Sequence, residues 1–235
     1  MGSVWKLNSF INLSGLPQSE EEKARVLCSP AVKSVVCFCL GPEGTNISQA
    51  ARRWIQRLDI VEKSKVLLFS TPEECLVEAR KVKEAGIVAV FWTCAVYAKE
   101  AEFFFTNPDV LPFYFQEVMR LNFMQLATRR AVFNSLEVQG GSFVLPDSWI
   151  IASHPSPKYL VRPVYSDENI ILVNSNAAAA KHCVDLFSHA CITTEKARQI
   201  YNLKTVHTFG SPPMVFFGGI TSHGAQVIKD AFLLK

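Results

Sequence analysis

The sequence predicts an α/β fold built on a parallel or mixed sheet. Short β-branched and aromatic runs alternate with stretches of helical periodicity, and turn residues stand between them. The first such pair is a buried strand at 35–40 and a helix whose apolar positions are Ile47, Ala50, Ala51, Trp54, Ile55 and Leu58. The chain of 235 residues, 49% of them hydrophobic, can bury a full core as one domain or two small lobes.

Two more strand–helix steps follow the first. Strands are predicted at 65–69 and 87–92, and the helix between them begins with Thr71 as N-cap and Pro72 at its first position. We expect this helix to run to about Ala85, with Gly86 as the C′ glycine. Three βα steps in succession favour a parallel or mixed sheet.

The middle of the chain is less regular, and the alternation returns after it. Residues 103–115 are rich in aromatic side chains, which we expect to lie in the core, and residues 120–133 and 140–151 are predicted as longer strands around a Gly140-Gly141 turn. Further strands are predicted at 149–152, 170–173, 190–192, 204–208 and 214–217. Further helices are predicted from Ala177 to about 188, from Thr193-Thr194 to about 202, and at 222–234.

Charge and composition exclude several classes of function. A formal net charge of +3 is too small to predict a nucleic-acid or membrane-surface partner. No apolar stretch is long enough for a membrane span, and residues 1–34 are predicted to be a loosely attached extension without the features of a signal peptide. Seven cysteines without CxxC spacing favour a reducing, cytoplasmic setting. The five histidines show no metal-binding spacing, so neither a metal nor a cofactor is expected.

Small hydroxyl or amide residues stand at three predicted helix starts directly after strands: Thr45-Asn46, Ser175-Asn176 and Thr193-Thr194. The first N–H groups of a helix have no intrahelical partner and bind anions well. In an open α/β sheet these junctions lie at the carboxyl ends of the strands, where ligands bind. They could converge on a small anion with two carboxylates, although routine N-capping explains each junction by itself.

Four segments in this order resemble the catalytic domain of the prephenate dehydratases, over roughly residues 35–220. They are Leu40-Gly41-Pro42-Glu43-Gly44-Thr45, Ser153-His154-Pro155, the alanine-rich helix start at 175–180, and Ala190-Cys191-Ile192. That family carries a Thr-Arg-Phe motif whose threonine assists loss of the ring hydroxyl. Here the corresponding stretch at 210–217 is Gly-Ser-Pro-Pro-Met-Val-Phe-Phe, so the motif is missing.

The details are more similar to the prephenate decarboxylase branch, of the type found in bacilysin biosynthesis, with related enzymes in the aeruginosin and salinosporamide pathways. The segments at 41–46, 153–157, 173–176, 190–194 and 207–210, followed by Met214, all fit that branch. The resemblance implies a two-lobed fold like type II periplasmic binding proteins, with the ligand in a cleft between the lobes. We expect one lobe from about 35–92 and 203–235 and the other from about 93–202.

The implied reaction is decarboxylation of prephenate without aromatisation, giving a dihydro-4-hydroxyphenylpyruvate. An enzyme of this kind must withhold a proton donor from the ring hydroxyl, and apolar Met214, Val215 and Phe216 in place of the threonine are consistent with that. Two alternatives stay open. One is a true dehydratase that uses another hydroxyl, such as Thr193, as its acid. The other is a binding protein or sensor that kept the fold and lost catalysis.

The resemblance and the helix starts together give a candidate set of site residues. Residues expected to donate to the substrate's carboxylates are Thr45, Asn46, Ser175, Asn176 and Ala177. Thr193 and Thr194 are expected at the pyruvyl end or as caps alone. Cys94, Tyr97 and Met214 are expected as substrate contacts, with a place in the core as the other reading of Cys94 and Tyr97.

Two residues are candidates for a catalytic role, Thr45 and His154. A histidine can change its charge near neutral pH and so could donate a proton, but a structural histidine in the Ser-His-Pro turn fits the sequence equally well. The Arg or Lys that would pair with a carboxylate is not identified by the sequence. Prephenate is the expected partner, and a homodimer is one option for the oligomeric state.

Overall fold

The first sheet is mixed, as the sequence predicts, and has the strand order β2-β1-β3-β12-β4. β1 is parallel to β2 and β3, and β12 is antiparallel to β3. The computed structural model describes residues 10–41, 43–97 and 99–234. The strands are β1 (Ser34–Leu40), β2 (Ser64–Phe69), β3 (Ile87–Cys94), β4 (Val110–Arg120) and β12 (Pro213–Thr221). The helices that accompany them are α1 (Glu20–Cys28), α2 (Asn46–Arg57), α3 (Pro72–Lys81), α4 (Glu100–Thr106) and α8 (Ser222–Leu233).

β3 is the central strand, and residues 88–93 within it are all buried. A strand covered on both faces has a nearly continuous apolar sequence, which is the pattern of β3. On one face Trp54 of α2 packs against Trp92 and Phe115, with ring centroids 5.4 and 4.9 Å apart. Burying such aromatic rings supplies much of the energy that holds helices to a sheet.

The described part of the predicted N-terminal extension is packed, not loose. α1 begins with a reciprocal capping box between Ser19 and Glu22, and Val26 and Leu27 are fully buried. The Tyr114 hydroxyl donates to the carbonyl of Pro17 at 2.8 Å. Burial of this helix contradicts the expected loose attachment, because its apolar residues complete the core. Residues 1–9 of the extension lie outside the described residues.

The second sheet has the order β11-β5-β10-β8-β9. β10 is parallel to β8 and antiparallel to β5. Its strands are β5 (Met124–Thr128), β8 (Ile151–Ser153), β9 (Ile170–Leu172), β10 (Ala190–Thr194) and β11 (Lys204–Gly210). A small hairpin of β6 (Val138–Gln139) and β7 (Ser142–Phe143) and the helices α5 (Arg130–Asn134), α6 (Asn176–Val184) and α7 (Glu195–Ile200) complete this part.

The two sheets belong to two compact units. One unit comprises the chain up to Met119 together with Met214 onward, and the other comprises Arg120–Pro213. The expected boundaries were near 92 and 203. The first boundary lies later because β4 joins the first sheet, and the second lies later because β11 pairs with β5.

Several predicted elements differ in detail. α3 ends at Lys81 instead of 85, and Gly86, at φ +82°, lies in the turn before β3, where its carbonyl accepts from Lys33 N–H at 2.8 Å. Residues 120–133 form β5 and α5 instead of one strand, and residues 140–151 contain only β7 and the first residue of β8 instead of another long strand. The Gly140-Gly141 turn is present between β6 and β7. α6 ends at Val184, earlier than the expected 188. No helix in the described ranges is long and apolar enough to cross a membrane.

Candidate functional site

In the first unit, the β1–α2 junction is held together by its own hydrogen bonds. Thr45 is the N-cap of α2 and accepts from Ser48 N–H at 3.3 Å. Its hydroxyl donates to the Leu40 carbonyl at 2.6 Å. Because its hydroxyl donates to the Leu40 carbonyl within the loop, Thr45 stabilises the turn between β1 and α2. What the junction offers a ligand is the backbone at Asn46, the first residue of the helix.

The turn before α2 needs glycine. Gly44 has φ +86°, a conformation that side chains disfavour, and its carbonyl accepts from Gln49 Nε2 at 2.6 Å. Glu43 accepts two hydrogen bonds from Arg52, at 3.0 and 2.7 Å, and this contact lowers the pKa of the Glu43 carboxyl. The charge of Arg52 is therefore balanced within the turn. Pro42 of the predicted motif lies outside the described residues.

The carboxyl end of β3 brings Cys94 beside the apolar segment of β12. Cys94 pairs with Phe216, and Ala95 N–H donates to the Val215 carbonyl at 3.0 Å. Directly opposed residues of an antiparallel pair share a face, so Cys94 and Phe216 lie on one face, and Met214, two residues earlier, lies on the same face. Cys94 and Met214 are half-buried, and burial raises the pKa of the Cys94 thiol. The structure thus brings these two predicted contacts together.

Tyr97 lies in the turn after β3 and is tied to α3. Its hydroxyl donates to Glu73 Oε1 at 2.7 Å. Burial, and then this bond to a carboxylate, raises the pKa of Tyr97, so the phenol is a hydrogen-bond donor and not a source of protons at neutral pH. Glu73 as its partner had no signal in the sequence, because the two residues meet only through the packing of α3 beside β3.

Glu100, the first residue of α4, is a second residue that the sequence reasoning missed. Its Oε1 atom accepts from the Thr93 hydroxyl at 3.1 Å. Its Oε2 atom is buried and has no hydrogen-bond partner among the described residues. Burial raises the pKa of the Glu100 carboxyl, with the Thr93 bond opposing that shift. From the sequence alone, Glu100 could be noticed only as an acidic residue shortly after Cys94 and Tyr97.

In the second unit, the start of α6 is open. Ser175 is its N-cap and accepts from Ala178 N–H at 3.0 Å. Ser175 and Ala177 are exposed, and the Ser175 hydroxyl donates to no acceptor among the described residues. Asn176 is half-buried, and its Oδ1 atom is buried without a partner in the described part of the chain. This junction offers a side-chain hydroxyl together with backbone N–H groups.

Thr193 of β10 stabilises the start of α6 by a hydrogen bond. It is fully buried on β10, and its hydroxyl donates to the Asn176 carbonyl at 2.7 Å. Thr194, one residue on, is the N-cap of α7 and accepts from Ala197 N–H at 3.3 Å. The two threonines therefore do different things: Thr193 fixes the first residue of α6, whereas Thr194 begins the next helix. Buried and bonded in this way, Thr193 is poorly suited to protonate a substrate hydroxyl.

His154 follows β8 and is half-buried. Its Nδ1 atom accepts from Ser156 N–H at 3.4 Å, which assigns the ring hydrogen to Nε2. Burial lowers the pKa of His154, so the ring is neutral at neutral pH. A neutral imidazole can donate a hydrogen bond through Nε2 but is a weak acid.

A cavity of about 640 Å³ in the first unit contains none of these residues. It is lined by residues of the N-terminal segment and of α8, including Leu16, Ser222 and Lys229. The predicted site residues divide between the two units. The first unit holds Thr45, Asn46, Cys94, Tyr97 and Met214, and the second holds His154, Ser175, Asn176, Ala177, Thr193 and Thr194.

Comparison with solved structures defines the class of fold. The periplasmic VFT2 domain of BvgS from Bordetella pertussis superimposes with a TM-score of 0.53 at 14% identity, covering 94% of each chain. PhnD1 from Prochlorococcus marinus, solved in complex with methylphosphonate, gives a TM-score of 0.51 at 7% identity, covering 86% of this chain and 83% of that one. The predicted fold class, an α/β fold like that of periplasmic binding proteins, is confirmed.

Sequence comparison defines the family. No family model matches the chain. A prephenate decarboxylase from Bacillus subtilis is 32% identical over 192 residues, which cover 77% of this chain and 84% of the relative. A prephenate decarboxylase from Bacillus amyloliquefaciens matches with the same identity and coverage. The chain belongs to the prephenate decarboxylase family, as its motifs predicted.

Proposed function

We propose that this protein is a carbon–carbon lyase that decarboxylates prephenate without aromatising it, and that the product is a dihydro-4-hydroxyphenylpyruvate. The observation that carries the proposal is 32% identity to a prephenate decarboxylase over 84% of that relative. The apolar segment Met214-Val215-Phe216 supports it, because this segment lies beside the carboxyl end of β3 and carries no acid. A hydroxyl leaves as water only when it is protonated, so an apolar wall favours its retention.

The proposed binding of the substrate uses the two helix starts. The pyruvyl carboxylate is proposed to accept hydrogen bonds at the start of α6, from the Ser175 hydroxyl and the N–H groups that follow it. Asn46, Tyr97, Thr194 and His154 are proposed as further substrate contacts. The departing carboxylate should lie in a less cationic environment, because tight binding of the ground state would retard its loss.

The finer assignments are also proposals. We propose that the protein works in the cytoplasm, as a homodimer, and in the biosynthesis of an antibiotic or non-ribosomal peptide building block of the bacilysin or aeruginosin type. Support for the pathway comes from the prephenate decarboxylases of Bacillus named above.

The dehydratase alternative is disfavoured by one contact. The acid it would need, Thr193, is fully buried and donates its hydrogen to the Asn176 carbonyl. A hydroxyl in that position has no hydrogen to give to a leaving group.

The test is to incubate the purified protein with prephenate at neutral pH and to identify the product by mass and ultraviolet absorbance. Loss of CO2 alone, with a non-aromatic product, is the expected result. Formation of phenylpyruvate would make the protein a dehydratase. Tight binding of prephenate without turnover would favour the non-catalytic binding protein.

A further inference from the structure

The cavity of about 640 Å³ in the first unit has no role in the proposed reaction. Its volume lies within the range of small-molecule sites, roughly 300–1,000 Å³. None of the predicted site residues is among those that line it. Because several of its lining residues are exposed, a ligand can enter the cavity directly from solvent. These exposed residues are Asn12, Thr106, Ser222 and Gln226.

One wall of the cavity is a single face of α8. Ser222, Ala225, Gln226 and Lys229 all line the cavity, and residues at i, i+3, i+4 and i+7 lie on the same side of a helix. Ala225 is buried, and its methyl group leaves room that a larger side chain would fill. This face of α8 therefore combines a small apolar surface with polar and charged groups beside it.

A second wall is the chain segment that precedes α1, and this segment is held on both sides of the cavity. Phe10 stacks on Phe104 of α4, with ring centroids 5.8 Å apart. Leu16 is buried, and the carbonyl of the next residue, Pro17, accepts from the Tyr114 hydroxyl at 2.8 Å. These contacts fix the segment without the help of a ligand, so the cavity belongs to the folded unit itself.

Lys229 brings a positive charge to the cavity. Its side chain crosses the turn at Gly15 so closely that a Cβ atom on Gly15 would lie 2.7 Å from Lys229 Cε. Gly15 also has φ +78°, a conformation that glycine adopts without strain. Lys229 is half-buried, and its ammonium forms no hydrogen bond or ion pair with any of the described residues. A cation held partly out of water gains from an anionic partner.

The acidic side chains near Lys229 have other partners. Asp109 is the acidic residue that lines the cavity, and its carboxylate accepts two hydrogen bonds from Arg80. This contact lowers the pKa of Asp109. Asp230, the next residue after Lys229, does not line the cavity and accepts from Gln226 Nε2 at 2.7 Å. The charge of Lys229 is therefore the unbalanced one among the lining residues.

We propose that this cavity binds a small organic acid, with its carboxylate paired to Lys229 and its apolar body against Leu16 and Ala225. Asn12 offers a second donor to such a ligand. Its Oδ1 atom accepts from Ser14 N–H at 2.8 Å, whereas its Nδ2 atom donates to no acceptor in the described part of the chain. The site shares no residue with the helix starts proposed for prephenate, so it does not rest on the proposed function.

Calorimetric titration of the full chain with 3-phenylpropanoate tests the site, because this probe joins a carboxylate to an apolar ring. The uncharged 3-phenylpropanamide should bind at least about tenfold more weakly. Lys229→Met keeps the apolar stem but removes the charge, and it should lower the affinity for the acid about 10- to 150-fold. Lys65→Met is the matched control, since Lys65 is exposed on the edge strand β2 and does not line the cavity. Its affinity should stay within about twofold of the wild type.

A second variant blocks the cavity without changing its charge. Ala225→Leu places a larger side chain in the space, and we expect it to bind 3-phenylpropanoate far more weakly than the wild type. Thermal unfolding shows whether each variant folds and gives an independent readout of binding. A ligand of the folded state raises Tm, so the probe should raise the Tm of the wild type and leave those of Lys229→Met and Ala225→Leu nearly unchanged.

Ser175→Ala shows whether the probe binds at the start of α6 instead. Affinity that persists in Ser175→Ala and is lost in Lys229→Met supports the cavity site. The reverse pattern would overturn it, as would equal binding of the acid and the amide or no binding by the wild type at millimolar probe. Turnover of prephenate is measured separately, and Lys229→Met should keep the wild-type kcat and KM. A wild type that binds the probe through Lys229 but does not decarboxylate prephenate would overturn the proposed function and leave this site standing.

Discussion

The β1–α2 junction of the first unit and the β9–α6 junction of the second are built from the same parts and differ in what they leave available. Each has a hydroxyl N-cap that accepts from the third N–H of its helix. Thr45 also donates to the Leu40 carbonyl, whereas Ser175 is exposed, with its hydrogen directed to no acceptor among the described residues. The first junction is closed on itself, and the second is open to a ligand.

This difference teaches that a capping motif alone does not identify a binding residue. The sequence treats Thr45 and Ser175 as equivalent, because both precede a helix and follow a strand. The fate of the hydroxyl hydrogen separates them, and that depends on whether a carbonyl lies within reach. We therefore expect Ser175 to control the affinity for the substrate and Thr45 to control stability.

The largest expected effect comes from Ser175→Ala. The substitution removes a donor to a charged group, a contact that contributes about 1.5–3 kcal/mol, so KM for prephenate should rise roughly 10- to 150-fold. Steady-state kinetics measures the change. Ser19→Ala is the matched control, because it removes the N-cap of α1, a helix that does not follow a strand of the sheet. An unchanged KM in Ser175→Ala would show that the open junction is not used.

Thr193→Val should be next in size. Valine has the shape of threonine but cannot donate to the Asn176 carbonyl, and the loss of such a hydrogen bond costs about 0.5–1.5 kcal/mol. We expect a loss of stability together with a several-fold higher KM, since Asn176 begins α6. Thr193→Ser restores the donor and should recover most of the KM. Denaturant unfolding and kinetics on the same samples check this, and a serine variant as impaired as the valine variant would refute the positioning role.

Thr45→Ala should have a smaller effect, and of a different kind. Loss of an N-cap costs about 0.5–2 kcal/mol, and the bond to Leu40 is lost with it. The free energy of unfolding should fall by roughly that amount, while KM changes by less than about threefold. Urea unfolding beside kinetics provides the measurement. If KM rises as strongly as in Ser175→Ala, the closed junction binds substrate after all, and the contrast between the two units is wrong.

Glu43→Gln should have the smallest effect. The pair between Glu43 and Arg52 is exposed, and exposed ion pairs stabilise proteins little and are screened by salt. We expect a slight decrease in Tm at low ionic strength that disappears at high salt. The substitution leaves the Arg52 guanidinium without its ion-pair partner, and KM for prephenate should stay unchanged. A clearly lower KM would show that the ion pair with Glu43 prevents Arg52 from binding the anionic substrate.

Local signals in the sequence were sufficient for part of this structure. Thr71 with Pro72 at the next position specified the start of α3, and Thr45 and Ser175 specified two more helix starts, because capping depends on neighbours within a few residues. The break between β5 and α5 at Arg129 had no comparable signal. Arg129 donates to the carbonyls of Cys183 and Ser188, contacts that are distant in the chain.

The positions of the candidate site residues in the fold were predictable to a similar degree. Motifs located Cys94 and Tyr97 near the end of β3, because strand ends can be found from the apolar pattern. They could not show that Tyr97 bonds to Glu73 or that Glu100 bonds to Thr93, because those contacts depend on how α3 and α4 pack beside β3. Residues 120–133, predicted as one strand, show the same limit for the fold.

The central claim is that CO2 leaves while the ring hydroxyl stays. Its most direct test is turnover of prephenate labelled with ¹⁸O at the ring hydroxyl, carried out in D2O with product analysis by mass spectrometry and NMR. We predict a product that keeps the ¹⁸O label and gains one deuterium on a ring carbon for each CO2 released. An aromatic product with the label lost to water would contradict the account.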